Sequence, residues 1–157
     1  MIRVQTQDFD PGAEIAALGS ASRTIGGVVS FVGLVRDSAG GKPVTAMTLE
    51  HYPAMTEHAL AEIEREANAR WKLEASLIVH RTGRLEPGER IVLVAVASAH
   101  RAAAFEACAF LVDWLKTKAP FWKLETGPAG ERWVAALETD DAAAARWRDE
   151  PPAKTAD

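Results

Sequence analysis

Gly26-Gly27-Val28-Val29-Ser30-Phe31-Val32-Gly33-Leu34-Val35-Arg36, then Ala39-Gly40-Gly41, then Val44 to Tyr52: the fold turns on this stretch. The first segment is apolar and β-branched almost without a break, which predicts a strand buried on both faces. Gly40 and Gly41 mark a turn, and Val44 to Tyr52 alternates as a second strand, so the two strands read as a hairpin.

Helical and strand patterns alternate on either side of it. Ile2 to Thr6 reads as a short strand. Asp10-Pro11 supplies an N-cap and a first helical position for a brief helix through Glu14 to Leu18. Further on, Leu60, Ile63, Ala67 and Trp71 mark a second helix. Leu77 to Arg81 predicts a strand, Glu86-Pro87-Gly88-Glu89 a turn, and Ile91 to Ala97 a central strand. Phe105, Cys108, Val112 and Leu115 share one face of a long helix that Pro120 stops near Lys118. A Gly/Pro loop at Gly127 to Gly130, a strand near Trp133 to Leu137 and a last helix through Arg146-Trp147 complete the pattern. Hairpins mixed with helices predict an α+β fold, with antiparallel or mixed sheet and packed helices. Residues 1–148 are expected to form one domain, and the polar stretch 149–157 a disordered tail.

Composition narrows the function. A chain of 157 residues with 48% hydrophobic content can bury one sizeable core. A formal charge of −4 argues against a general nucleic-acid coat, while a local basic cluster would still attract a small anion. Cys108 is the only cysteine; it lies in a helical stripe, as a buried structural thiol would. With one cysteine, and with His51, His58 and His80 on separate elements, no metal centre is expected, nor is any cofactor. Gly-Gly at 26–27 and 40–41 lacks the context of a phosphate loop. The five tryptophans lie in or beside apolar patterns, which suits packing rather than base stacking. No apolar run is long enough to span a bilayer and the first residues turn polar at once, so a cytoplasmic protein without membrane contact is expected.

The chemistry-bearing segment is Leu115-Lys116-Thr117-Lys118-Ala119-Pro120-Phe121-Trp122-Lys123, with three lysines at a helix end beside two aromatic rings. At roughly 100° per residue, Lys116 lies about 60° from the centre of the apolar stripe and Lys118 about 100° away. Lys116 is therefore the better candidate for a working amine, and Lys118 the more easily solvated. Both placements also suit ordinary last-turn lysines that complement the helix dipole. Ser98 can cap the long helix, which puts His100 and Arg101 in its first turn, where cations are unfavourable unless an anion sits nearby. A local pairing of Arg101 with Glu106 would account for it equally well. Arg36 follows a strand directly and precedes a glycine loop, a place that suits either a cleft or plain solvation.

Taken in order, Val29 to Arg36, Leu49-Glu50-His51-Tyr52-Pro53-Ala54-Met55, Ser98-Ala99-His100-Arg101 and Leu115 to Lys123 resemble the large, catalytic subunit of molybdopterin synthase. The resemblance runs from about Val28 to Trp147. It implies an α/β hammerhead-type fold and a homodimer within a two-plus-two heterotetramer. It also implies an enzyme that converts cyclic pyranopterin monophosphate into molybdopterin by installing two dithiolene sulfurs. The sulfur would come from a small carrier subunit ending in a Gly-Gly thiocarboxylate. Residue by residue, the resemblance makes Lys116 and Lys123 catalytic, and it places Phe31, Arg36, His100 and Arg101 around the substrate, the last two from the opposite protomer. Leu137 stands where some relatives carry a basic residue. Fixed positive charge suits this chemistry, because both the cyclic phosphate and the thiocarboxylate are anions. A non-catalytic dimer that binds a phosphorylated metabolite in the same pocket is the alternative.

Overall fold

The computed structural model describes residues 1–134 and 138–149. In chain order its elements are β1 (Ile2–Gln5), α1 (Pro11–Gly19), β2 (Gly27–Leu34), β3 (Ser38–Ala39), β4 (Lys42–Pro43), β5 (Ala46–His51) and α2 (Pro53–Arg70). They continue with β6 (Ala75–Arg81), β7 (Gly83–Leu85), β8 (Arg90–Ser98), α3 (Arg101–Lys118), β9 (Phe121–Gly127), β10 (Gly130–Trp133) and α4 (Glu138–Asp149). Two four-stranded sheets form, in the orders β1-β6-β8-β2 and β10-β9-β5-β7. Only the β1–β6 pairing is parallel among these ladders, so the sheets are mixed and antiparallel, in the α+β, hammerhead-type architecture expected.

The first sheet is covered on both faces. Ile78, Val94 and Val96 point to one side, against Leu60, Ile63 and Ala67 of α2 and Phe110, Leu111 and Trp114 of α3. Leu77, Val79, Leu93 and Ala95 point to the other, against Phe9 and Leu18. This two-sided burial explains the unbroken apolar run of β8. Ala144 and Trp147 bring α4 into the larger cluster, where Phe110 meets Trp71, Trp114 and Trp147 edge-on at centroid distances of 5.3, 6.0 and 5.6 Å. Among the described residues no helix is long and apolar enough to cross a membrane.

Several expectations need correction. The strands of the opening stretch are not a hairpin: β2 pairs with β8 in the first sheet, and β5 pairs with β7 and β9 in the second. The turn itself is present. Gly40 and Gly41 sit at φ of 57° and 74°, as a tight two-residue turn demands, but they close only the short β3–β4 ladder, after which the chain leaves for the other sheet. Nor is β2 buried on both faces. It is an edge strand, with Phe31 and Leu34 exposed. Ser98 does not cap α3: His100 occupies the N-cap position without a side-chain cap, and the Ser98 hydroxyl donates to the Lys72 carbonyl at 3.0 Å. Phe105 is exposed and the buried stripe runs through Ala104, Ala107, Cys108, Phe110, Leu111, Trp114 and Leu115. β9 follows α3 directly, where the sequence pattern predicts no strand. β10 ends at Trp133 and Val134 lies beyond it; residues 135–137 of the strand expected to reach Leu137, and 150–157 of the expected tail, lie outside the described residues, while Asp149, expected to open the tail, closes α4.

Candidate active site

α3 ends where its sequence says it must. Pro120 cannot continue the helix, Ala119 turns to extended backbone at φ −77° and ψ 123°, and β9 begins at once. This sharp exit leaves Lys116 on the last helical turn and Lys123 on the adjoining strand. β9 then alternates: Phe121, Lys123 and Glu125 share one face, and Trp122 points the other way, edge-on to Tyr52 at 5.2 Å.

A cavity of about 640 Å³ lies against that inner face. β2 contributes Phe31 to Leu34, the loop after it Arg36, β3 Ser38, β6 His80, β8 Val92 and Val94, α3 Lys116, β9 Lys123 and Glu125, and α4 Thr139 and Asp140. Four of the six candidate residues thus meet: Phe31, Arg36, Lys116 and Lys123. His100 and Arg101 do not. They are exposed at the opposite end of α3, and the fifteen-residue separation of Arg101 from Lys116 spans about 22 Å along a helix. Glu106, weighed as a partner for Arg101, accepts instead from the Trp71 indole at 2.8 Å.

The two lysines are not equivalent. Lys116 Nζ lies 3.6 Å from an Asp140 carboxylate oxygen, with the lysine side chain 43% exposed. Lys123 is largely buried, and this burial, reinforced by the nearby positive charge of Lys116, lowers its pKa; Asp140 and Glu125 pull in the opposite direction. Lys118 is as exposed as Lys116, at 47%, so solvation does not separate them. Direction does: Lys118 Nζ sits 3.5 Å above the Trp114 ring and 3.9 Å from Glu66, away from the cavity.

Three lining residues escaped the sequence reading as functional candidates. Glu125 is buried and accepts from Arg132 Nε and Nη2 at 2.8 and 2.6 Å, while the same Nη2 donates to the Ala39 carbonyl at 3.0 Å. His80 stacks on Phe121 at 3.7 Å and 11°. Its Nδ1 is 2.8 Å from the Arg81 carbonyl, which can only accept, so Nδ1 carries the proton. Burial holds the imidazole pKa down to about 4, and the ring is neutral at physiological pH. Asp140 is the third. Strand alternation from Lys123 would have pointed to Glu125; nothing local in the sequence signals the other two. Cys108 is buried in the helix, and desolvation raises its thiol pKa to about 11. Among the described residues no group of three or more His, Cys, Asp or Glu side chains is placed to hold a metal ion.

Fold and cavity together give an α+β protein in which Lys116, Lys123 and Arg36 line one cavity. The chain belongs to the MoaE protein family, which matches residues 4–118. The molybdopterin synthase catalytic subunit of Pseudomonas aeruginosa is 57% identical over 148 residues, covering 94% of this chain and 99% of that one. The Escherichia coli protein of the same description is 53% identical over 146 residues, covering 93% and 97%. A solved structure described as the molybdopterin biosynthesis MoaE protein from Burkholderia ambifaria superposes with a TM-score of 0.82 at 55% identity, covering 96% of this chain and 99% of that one. Membership makes the chain an enzyme of molybdenum cofactor biosynthesis, of the molybdopterin synthase catalytic kind.

Proposed function

We propose that this cavity inserts the two dithiolene sulfurs of molybdopterin into cyclic pyranopterin monophosphate, taking each sulfur from the thiocarboxylated C-terminus of a small carrier subunit. The observation that carries the reading is the convergence of Lys116, Lys123 and Arg36, from three separate elements, on one cavity. Substrate and donor are both anions, and fixed cations offset their repulsion. Each transfer forms a carbon–sulfur bond as a carbon–oxygen bond of the pterin side chain breaks, and water then hydrolyses the resulting thioester to leave the sulfur on the pterin and a carboxylate on the carrier, so protons must be given and taken. Lys116, at the half-open edge of the cavity, acts as general acid and base near the carrier terminus. Lys123, deeper and desolvated, stabilises the developing oxyanion or phosphate. Arg36 holds the phosphate, with Phe31 beside the substrate.

His100 and Arg101 enter from the opposite protomer of a homodimer, which the distance along α3 makes necessary if they touch substrate at all. The working assembly in this reading is two large and two small subunits in the cytoplasm, with residues 1–148 of this chain acting as one domain. The relatives' description as a catalytic subunit supports a companion chain. Leu137, where the resemblance expects a basic contact in some relatives, lies outside the described residues.

Incubating the protein with thiocarboxylated small subunit and the cyclic pterin tests the proposal. Appearance of a dithiolene product is expected. Tight pterin binding with no product would leave instead a non-catalytic binder of a phosphorylated metabolite.

A further inference from the structure

We propose that Asp140 is a positioning residue of the paired-lysine site: a counter-charge delivered by α4 that holds Lys116 at the cavity and offsets the repulsion between Lys116 and Lys123. The inference rests on the reading of the cavity as the sulfur-transfer site.

Geometry places the carboxylate. Asp140 is the third residue of α4, where the helix dipole favours an anion, and Lys116 lies in the last turn of α3, where it favours a cation. The two helix ends therefore meet with complementary charge, 3.6 Å apart. The far end of α4 is clamped. Trp147 Nε1 and Arg146 Nη2 both donate to Asp113 at 2.8 Å, and Arg70 Nη1 donates to the Trp147 carbonyl at 2.7 Å. Asp113 and Lys116 are about one turn apart on α3, and Asp140 and Trp147 about two turns apart on α4. Fixing Trp147 against Asp113 thereby fixes Asp140 against Lys116.

The surrounding charges show why a carboxylate is useful there. Around Lys123 stand Lys116 from α3, Asp140 from α4, Glu125 from its own strand, neutral His80 from β6 and, on the same cavity wall, Arg36. Glu125 is already engaged by Arg132. Among the described residues Asp140 is then the anion left to balance two lysines held close together, and it raises the proton affinity of Lys123 against burial and against Lys116. The Lys116–Asp140 pair is half-exposed and weak, so an arriving phosphate or thiocarboxylate can take over its role without a large penalty.

The test compares Asp140→Asn and Asp140→Glu with Asp141→Asn, an exposed neighbour on α4. Competitive acetylation of the full chain across pH, read lysine by lysine by peptide mass spectrometry, measures titration without requiring turnover. In Asp140→Asn the titration of Lys123 should move to lower pH, in Asp140→Glu it should return towards the wild-type position, and in Asp141→Asn it should not move. Because the proposed role of Lys123 needs the ammonium form, the high-pH fall in product formation should move down with it. An unmoved Lys123 in folded Asp140→Asn protein, or an equal shift in Asp141→Asn, overturns the inference. A shift specific to Asp140 in a wild-type protein that makes no dithiolene product would uphold the electrostatic role and sink the sulfur-transfer reading instead.

Discussion

Lys116 and Lys118 are two residues apart, about 200° around α3, and this separates a lysine facing the cavity from one lying on Trp114. Lys116→Ala and Lys123→Ala should therefore fold normally and lose product formation by on the order of 10²–10⁴-fold, the range for a positioned proton-transfer group. Lys118→Ala should lose a cation–π contact with Trp114 and a weak surface ion pair with Glu66, together on the order of 1 kcal/mol of stability, and keep most activity. Single-turnover product formation beside circular dichroism separates these outcomes; near-normal turnover by folded Lys116→Ala would remove that residue from the chemistry. Cys108 offers the converse case. With its pKa pushed up to about 11 it is almost wholly thiol at neutral pH, so Cys108→Ala should retain sulfur transfer apart from a packing loss. A persulfide trapped on Cys108 during turnover would overturn a carrier-only sulfur supply. Lys116 stood out in the sequence because a proline-terminated helix is a local signal; the strand end left Arg36 open between a cleft and solvent, and Lys123 came only from the family resemblance. Asp140 could not be picked out, since its place depends on how α4 docks on α3, which no local pattern encodes.

At the scale of elements, α2, β6, β8 and the course of α3 were legible because each carries a clear apolar period or run. β2 misled for a physical reason: an apolar edge strand and a central strand have the same composition, and only the pairing partners distinguish them. β9 was hidden because Lys123 and Glu125 occupy inward positions where a strand pattern would have apolar residues. The contact between β6 and β9 has a measurable signature. His80 is stacked flat on Phe121 and kept neutral, with its folded pKa near 4 against an ordinary 6.5. Between those values the unfolded chain takes up a proton that the folded one refuses, so stability is whole above about pH 6.5 and falls as pH drops towards 4, by roughly 3 kcal/mol in all from this group. His80→Phe, which keeps a ring against Phe121 but cannot titrate, should flatten that part of the profile. Urea midpoints of both proteins at pH 7 and pH 4.5 measure the difference; parallel losses would show that His80 is not the group responsible.

Over the whole molecule, one chain does not bring all six candidate residues together. Lys116, Lys123, Arg36 and Phe31 share a cavity, and Arg101 lies about 22 Å from Lys116 along α3. A second copy related by a two-fold axis can bring its own His100 and Arg101 to that cavity and receive the same pair in return, as an isologous interface requires. Arg101→Ala should then weaken substrate binding by on the order of 1.5–3 kcal/mol, the worth of a hydrogen bond to a charged group. Complementation separates shared from self-contained sites. When inactive Lys116→Ala and inactive Arg101→Ala proteins are mixed and allowed to exchange subunits, each heterodimer has one site with both defects and one with neither. Random pairing makes half the dimers mixed, so about a quarter of all sites should be intact and activity should recover to roughly that fraction of wild type. If each chain built its own site, every site would keep one defect. No activity would return, even with subunit exchange demonstrated by native mass spectrometry.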